Sequence, residues 1–425
     1  MKKIIALLLS LITLLAFAPA CSINKTEVSV LWSNYSAERA LIGECDEFQA
    51  TIADAFDRGA YIERLDHVDY DAKGESATQI AQIDEVINKG CSALVINPVD
   101  ASTAKYAFDK AKEKQIPVLF LCSNVLVDTY LLAPTLLGGL DISGYDKAII
   151  VNVDIDSRDE VLAKKIAEDV IKNAYDSAKK PKKVKAFDRN GDKKITYLPL
   201  GLSSASVAEK VNAILQDTAK VNEIIEKTLK IKATAEIVKD LSLECVDLGL
   251  LLLADTKTKI AGLFEDWSED KAFPIELIIS DDDAYVEDVL MALRNVRKND
   301  DGTVNEKGIN YKELNTHSIP FYTVGIATNV SELLKHERPE EAAEGDIEEE
   351  ELAAYSVMST IDKGYVTAAA LENDDEIAIS AATILRNFIK GKDSLKDVKA
   401  EYYTDKDGNQ TKNYITVPYT IYQAS

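Results

Sequence analysis

Asp188, Asn190 and Asp192 stand at alternate positions, followed by Lys194 and Thr196 at the seventh and ninth places of the same run. Hard cations such as Ca²⁺ take six to eight oxygen ligands, and side chains at positions 1, 3 and 5 with a backbone carbonyl at 7 and an oxygen at 9 would supply most of them. Position 12, where such loops carry a bidentate glutamate, holds Pro199. Position 6, where glycine makes the sharp turn, holds Lys193, and Gly191 sits at position 4. A left-handed backbone at Lys193 would cost about 1 kcal/mol or more. The competing reading is a hydrogen-bonded turn with no ion. Asp405, Asp407 and Asn409 repeat the pattern, but with Gly408 among them they read as a hairpin turn.

Other reactive constellations are sparse. His67, His317 and His336 are scattered and no H-E-x-x-H occurs, so a zinc site is not expected. There is no G-x-S-x-G elbow, no kinase signature and no phosphate-cradling G-x-x-x-x-G-K-[ST] loop. Asp281–Asp283 alone do not argue glycosidase chemistry in a chain with 72 acidic residues against 49 basic ones. The formal charge of −23 would repel a phosphate backbone, so no nucleic-acid partner is expected. Five cysteines in 425 residues are too few for a disulfide framework. Cys91 and Cys122 flank adjacent predicted strands and are either an oxidisable pair or buried thiols.

The elements that must position these groups alternate along the chain. Strand-like apolar runs fall at 28–32, 61–65, 93–96 and 117–121, with helical spacing from Ala40, at 80–87 up to Gly90, and at 104–114. A second series begins at 148–153, continues through a helix over 157–178, and has strands at 195–200, 275–280 and 321–325. Continuous apolar strands between amphipathic helices demand a parallel sheet covered on both faces. The expected class is α/β, with two doubly wound parallel-sheet lobes and a ligand crevice where the carboxyl ends of their strands face each other. A single core stops growing near about 250–300 residues, which also favours two lobes. Residues 337–351 form an acidic insertion, read as solvated or mobile, with a cation or partner patch as the alternative.

Residues 1–21 read as an export signal: Lys2 and Lys3, an apolar run over 4–17, then Ala18-Pro19-Ala20 before Cys21. The cysteine in that place resembles a bacterial lipoprotein cleavage box, which would lipidate Cys21; plain Ala-x-Ala cleavage is the alternative. No second spanning segment is expected, since 119–140 is interrupted by Asp128 and Pro134 and 248–254 is too short. Either route exports the chain to the periplasm or cell surface, with membrane attachment only through the N-terminal lipid.

The run AQIDEVINKGCSALVINPVDASTAKYAFDKAKEKQIPVLFL (81–121), with its Asn97-Pro98-Val99-Asp100 turn, resembles the type I periplasmic binding proteins of bacterial sugar transporters. FDRNGDKKITYLPLG (187–201), FPIELIISDDDAYVEDVLMAL (273–293) and NYITVPYTIY (413–422) narrow the likeness to galactose/glucose-binding proteins. The resemblance implies a three-crossing hinge, with one lobe at 26–150 plus 372–400 and the other at 151–371 plus 401–425. It implies a non-enzymatic protein that closes over a small solute, a sugar above all, and presents it to an ABC permease; a chemoreceptor is a further partner of such proteins. It also implies structural Ca²⁺ held by Asp188, Asn190, Asp192, Lys194 and Thr196, with Glu276 supplying the missing glutamate from a distant strand.

The sugar-contacting positions match poorly, falling at Ala37, Arg39, Cys122, Ala205, Val207, Val211, Leu251, Gly325 and Leu371. Asp282 and Asp283 keep polar character, and Trp32, Tyr35 and Asn124 are the residues able to substitute. An aromatic face and planar polar groups are what a hexose needs, because each unpaired buried hydroxyl partner costs about 1–3 kcal/mol. A diverged sensor or interaction lipoprotein of the same fold, with a degenerate pocket, is the alternative; an exported enzyme is a third.

Overall fold

The computed structural model describes residues 26–32, 65–121, 142, 144–180, 186–246, 259, 275–295, 319–389, 391–398, 401–404 and 410–424. The expectations for Cys21, Tyr35, Cys122, Asn124 and 405–409 lie outside them, and of Trp32 only the backbone is described.

Thirteen strands are described: β1 (Thr26–Trp32), β2 (Leu65–Asp71), β3 (Ala93–Ile96), β4 (Val118–Leu121), β5 (Ala148–Asp154) and β6 (Lys194–Leu200) come first. β7 (Ser242–Cys245), β8 (Leu277–Ser280), β9 (Phe321–Val324), β10 (Ala368–Leu371), β11 (Glu401–Thr404), β12 (Gln410–Pro418) and β13 (Thr420–Tyr422) follow. They form two sheets, in the orders β11-β12-β5-β4-β3-β1-β2 and β13-β10-β9-β8-β6-β7. The pairs from β5 to β2 are parallel, as are those from β10 to β7. Antiparallel pairing joins β11 to β12 and β10 to β13.

The two compact units follow the sheets. One holds the chain up to Val153 together with Asn373–Val417; the other holds Asp154–Glu372 and Pro418–Ser425. The chain thus passes from unit to unit three times. The assignment of 401–417 to the second lobe is corrected, because β11 and β12 extend the first sheet. Only after Pro418, which has no N–H to donate to a ladder, does the chain join the second sheet as β13.

In the first unit one sheet face (Leu94, Ile96, Val118, Phe120) is buried under Ile83 and Val86 of the helix Ser76–Lys89 and Ala104 and Phe108 of the helix Ala101–Lys114. Gly90 ends the first of these helices at φ 85°, the left-handed cap its position after Lys89 requires. Cys91 carries a buried thiol. Of the strand expected at 61–65 only Leu65 lies within the described residues; there β2 begins, at the sheet's edge, where a strand with three aspartates is paired on one side only.

The second unit is wound on both faces. Leu277 and Ile279 pack with Leu162, Ile166 and Val170 of the helix Ile155–Lys179 and with Val207 and Val211 of the helix Ser204–Gln216. Ile278 and Phe321 point the other way, onto Val286, Val289 and Leu290 of the helix Tyr285–Asn295 and Leu333 of the helix Ser331–Glu337, which also carries His336. The alternation along β8 is the period-2 pattern of a strand buried on both sides.

The acidic insertion is largely solvent-exposed, as one of its two readings expected, and it is helical. Helices Pro339–Glu344 and Glu349–Ala354 seat Ala342, Ile347 and Leu352 on the core, while Arg338 bridges Glu341 at 3.0 Å and Glu351. Its apolar anchors are spaced within a mainly acidic segment. No described helix is long and apolar enough to cross a membrane.

Candidate functional site

In open α/β sheets ligands bind beyond the carboxyl ends of the strands, so the loops there are built up for each unit in turn. In the first unit the end of β3 opens into Asn97-Pro98-Val99-Asp100. Asn97 is fully buried; its N–H donates to the Leu31 carbonyl at 2.9 Å and its amide Nδ2 to the Leu121 carbonyl at 3.0 Å, tying β3 to both neighbouring strands. Buried Gln79, from the helix Ser76–Lys89, donates to the Asn97 carbonyl at 2.9 Å and accepts from the Val99 N–H at 2.8 Å. The loop is thus hydrogen-bonded into one shape.

Asp100 caps the next helix in a capping box with Thr103, whose N–H donates to Oδ1 at 2.8 Å. Partial burial pushes the Asp100 carboxyl up, but the hydroxyls of Ser76 and Ser102 and the N–H groups of Thr103 and Ser102 overcome it and hold the pKa at about 2, below 3.8. A carboxyl depressed by folding adds stability above its unfolded pKa and loses it as the pH falls through the folded one. Stability is therefore expected to drop between about pH 4 and pH 2, and Asp100→Asn to remove this component. Denaturant midpoints of the two proteins across that window check it; an unchanged slope in the variant would refute the role.

In the second unit the corresponding loops follow β6, β8 and β9. Gly201, directly after β6, lies at φ 81°, and a Cβ there would fall on the Asp281 carboxylate. Asp281 Oδ2 accepts from the Ser203 N–H at 2.9 Å and hydroxyl at 3.3 Å. Arg158, early in the helix Ile155–Lys179, donates to the Ser203 hydroxyl at 2.8 Å and pairs with Asp159 at 2.9 Å. After β9, Gly325 (φ 86°) leaves room for Asp283, which accepts the Thr328 N–H at 2.9 Å and its hydroxyl. Burial pushes the Asp283 carboxyl up, against the lowering effect of the Thr328 donors.

Asp282 and Asp283 therefore sit at the strand ends as expected, yet both carboxylates are spent on loop structure: Asp282 Oδ1 accepts the Ala284 N–H at 2.8 Å within its own loop, and Asp283 ties that loop to the one after β9. Val207 and Val211 are core residues. Arg158, Ser203 and Thr328 were missed. The available signal was an apolar strand running straight into glycine, as at Leu200-Gly201 and Val324-Gly325.

The 188–196 loop lies at the opposite, amino end of β6. Its turn is made as the loop reading requires, with Asp188 at φ 52°, Gly191 at 72° and Lys193 at 65°. Asp188 Oδ1 accepts the Lys193 N–H at 2.8 Å, and Asp192 Oδ1 that of Lys194 at 3.0 Å. Glu276 does reach this loop from just before β8, and its N–H bonds the Thr196 carbonyl at 2.8 Å. Its carboxylate, however, accepts the N–H of Arg189 at 2.5 Å and of Thr196 at 3.2 Å, with the Arg189 Nε at 3.5 Å. Among the described residues no group of three or more His, Cys, Asp or Glu is placed to hold a metal. Of the expected Ca²⁺ set Asp188, Asn190, Asp192, Lys194, Thr196 and Glu276, the loop and Glu276 meet at this end of β6, and Arg189 brings a positive charge beside the glutamate.

A family model described as a periplasmic binding protein domain matches residues 45–304. The chain belongs to the periplasmic binding protein family, whose members bind solutes and are not enzymes. Among solved structures it is similar to an ABC transporter solute binding protein from Bacillus halodurans with bound myo-inositol, at 13% identity over 95% of this chain and 96% of that one, TM-score 0.41. It is also similar to a solute binding protein from Actinobacillus succinogenes with bound D-allose, at 11% identity, 94% and 98% coverage, TM-score 0.42. A third, the arabinose-transporter binding protein of a Shewanella species, shows 15% identity, 94% and 92% coverage and a TM-score of 0.41. No curated protein matches.

Proposed function

We propose that this chain is the exported solute-binding subunit of an ABC transporter, taking a sugar or related small polar solute at the carboxyl ends of its strands. The observation that carries the reading is the three-fold passage of the chain between two parallel-sheet units, at 153/154, 372/373 and 417/418, in a member of the periplasmic binding protein family. The loops there fit the role. They are fixed by buried amide and carboxylate networks, so polar groups can be presented without being ordered first. Cys21 is the proposed lipid anchor, and a permease, with a chemoreceptor as a further possibility of the family, the proposed partner.

A second reading, a sensor or interaction lipoprotein without transport ligation, is favoured by one observation. Asp282 and Asp283, the two polar positions retained from the sugar-binding pattern, are engaged by Ala284 and Thr328. Thermal melts of the mature chain against a panel of hexoses, pentoses and cyclitols separate the two. A solute that binds only the folded state adds about 2.7 kcal/mol at a hundredfold excess over its Kd, which is expected to raise Tm by about 5 °C or more. A melt that no member of the panel moves would overturn transport of these solutes and leave the second reading.

A further inference from the structure

We propose that Arg189 is a built-in replacement for a bound cation, so that the 188–196 loop keeps its shape without any divalent metal. The inference does not depend on which solute the protein takes. Glu276 is 2% exposed, and a carboxylate that deeply buried requires a positive partner. A metal ion is one solution and a guanidinium is the other. Here the guanidinium comes from within the loop, one residue after Asp188, and its Nε stands 3.5 Å from Glu276 Oε1 while its terminal nitrogen donates to the Ile275 carbonyl. A planar, permanently charged fork can satisfy a carboxylate and a neighbouring carbonyl together, which a lysine ammonium cannot do in the same geometry.

The loop's two lysines are paired with acids on the neighbouring segment. Lys193 reaches Asp240 at 2.9 Å and Lys194 reaches Glu244 at 2.7 Å, binding the loop to β7 and the turn before it. Asp188 and Asp192 each spend an oxygen on a loop N–H, as turn-forming carboxylates do without a metal. The aspartate spacing that suggests calcium is then retained for its turns, while the charge that calcium would bring is covalently attached.

The test is thermal unfolding of the full chain in EGTA and in excess CaCl₂, beside the variants Arg189→Ala and Arg189→Lys. Wild type is expected to melt at the same temperature in both. Arg189→Ala, which strands a buried carboxylate, is expected to lose about 5 °C or more, or to fail to fold. Arg189→Lys keeps the charge without the fork and is expected to fall between the two. A wild-type melt several degrees higher in CaCl₂ than in EGTA would overturn the proposal. So would an Arg189→Ala protein that melts with wild type.

Discussion

Gly201→Ala is expected to destabilise the second unit by about 2–5 kcal/mol. The left-handed backbone at φ 81° disfavours any side chain by about 1–2 kcal/mol. The new methyl would also occupy the space of the Asp281 carboxylate, which must then leave the Ser203 N–H, at a further cost of about 1–3 kcal/mol for a stranded donor. Urea unfolding followed by a probe of the second unit should show a lower midpoint at an unchanged m-value. If alanine left the midpoint where it was, the close approach of backbone to carboxylate at this strand end would be wrong. Because Arg158 is linked to the same carboxylate through Ser203, the variant should also perturb any solute contact Arg158 makes.

Gln79→Leu is the first unit's counterpart. Leucine has nearly the same volume, so packing is little changed, but the Asn97 carbonyl loses its donor and the Val99 N–H its acceptor. Stranding two such groups costs about 2–4 kcal/mol, one of them being fully buried. The expected result is a midpoint lower by that amount, with the 97–100 loop no longer held. A Gln79→Leu protein as stable as wild type would mean that these bonds do not shape the loop.

The parts of the fold legible in the sequence were those whose burial leaves a mark in the residues themselves. β3, β4 and β8 are continuous apolar runs because both of their faces are covered, and Gly90 announces the end of its helix through the left-handed cap it forms. The run of β2 beyond Leu65 was missed, since an edge strand tolerates the charges of LDHVDYD. The acidic insertion was read by its charge count, which hid the spacing of Ala342, Ile347 and Leu352. The last crossing was placed at 400/401 rather than 417/418 because a strand's own pattern does not name its partner: β12 and β13 look like one strand until Pro418 separates the sheets they join.

The site was legible by position and not by role. Asp282 and Asp283 were found from their place after an apolar strand, but their engagement by Ala284 and Thr328 is a through-space fact. Arg158 and Ser203 lie 45 residues apart and meet only once the helix Ile155–Lys179 is folded. The 188–196 loop shows a related limit. Arg189 lies inside the motif, where a spacing rule treats it as filler, yet its guanidinium stands beside the buried Glu276 carboxylate.

Because β12 joins the first sheet and β13 the second, a stretch of thirteen residues near the C-terminus, Gln410–Tyr422, supplies a strand to both. Neither half is encoded as an uninterrupted piece of gene. A ribosome that has released only the earlier chain has finished neither half, so both must wait for the same late segment before their sheets are complete.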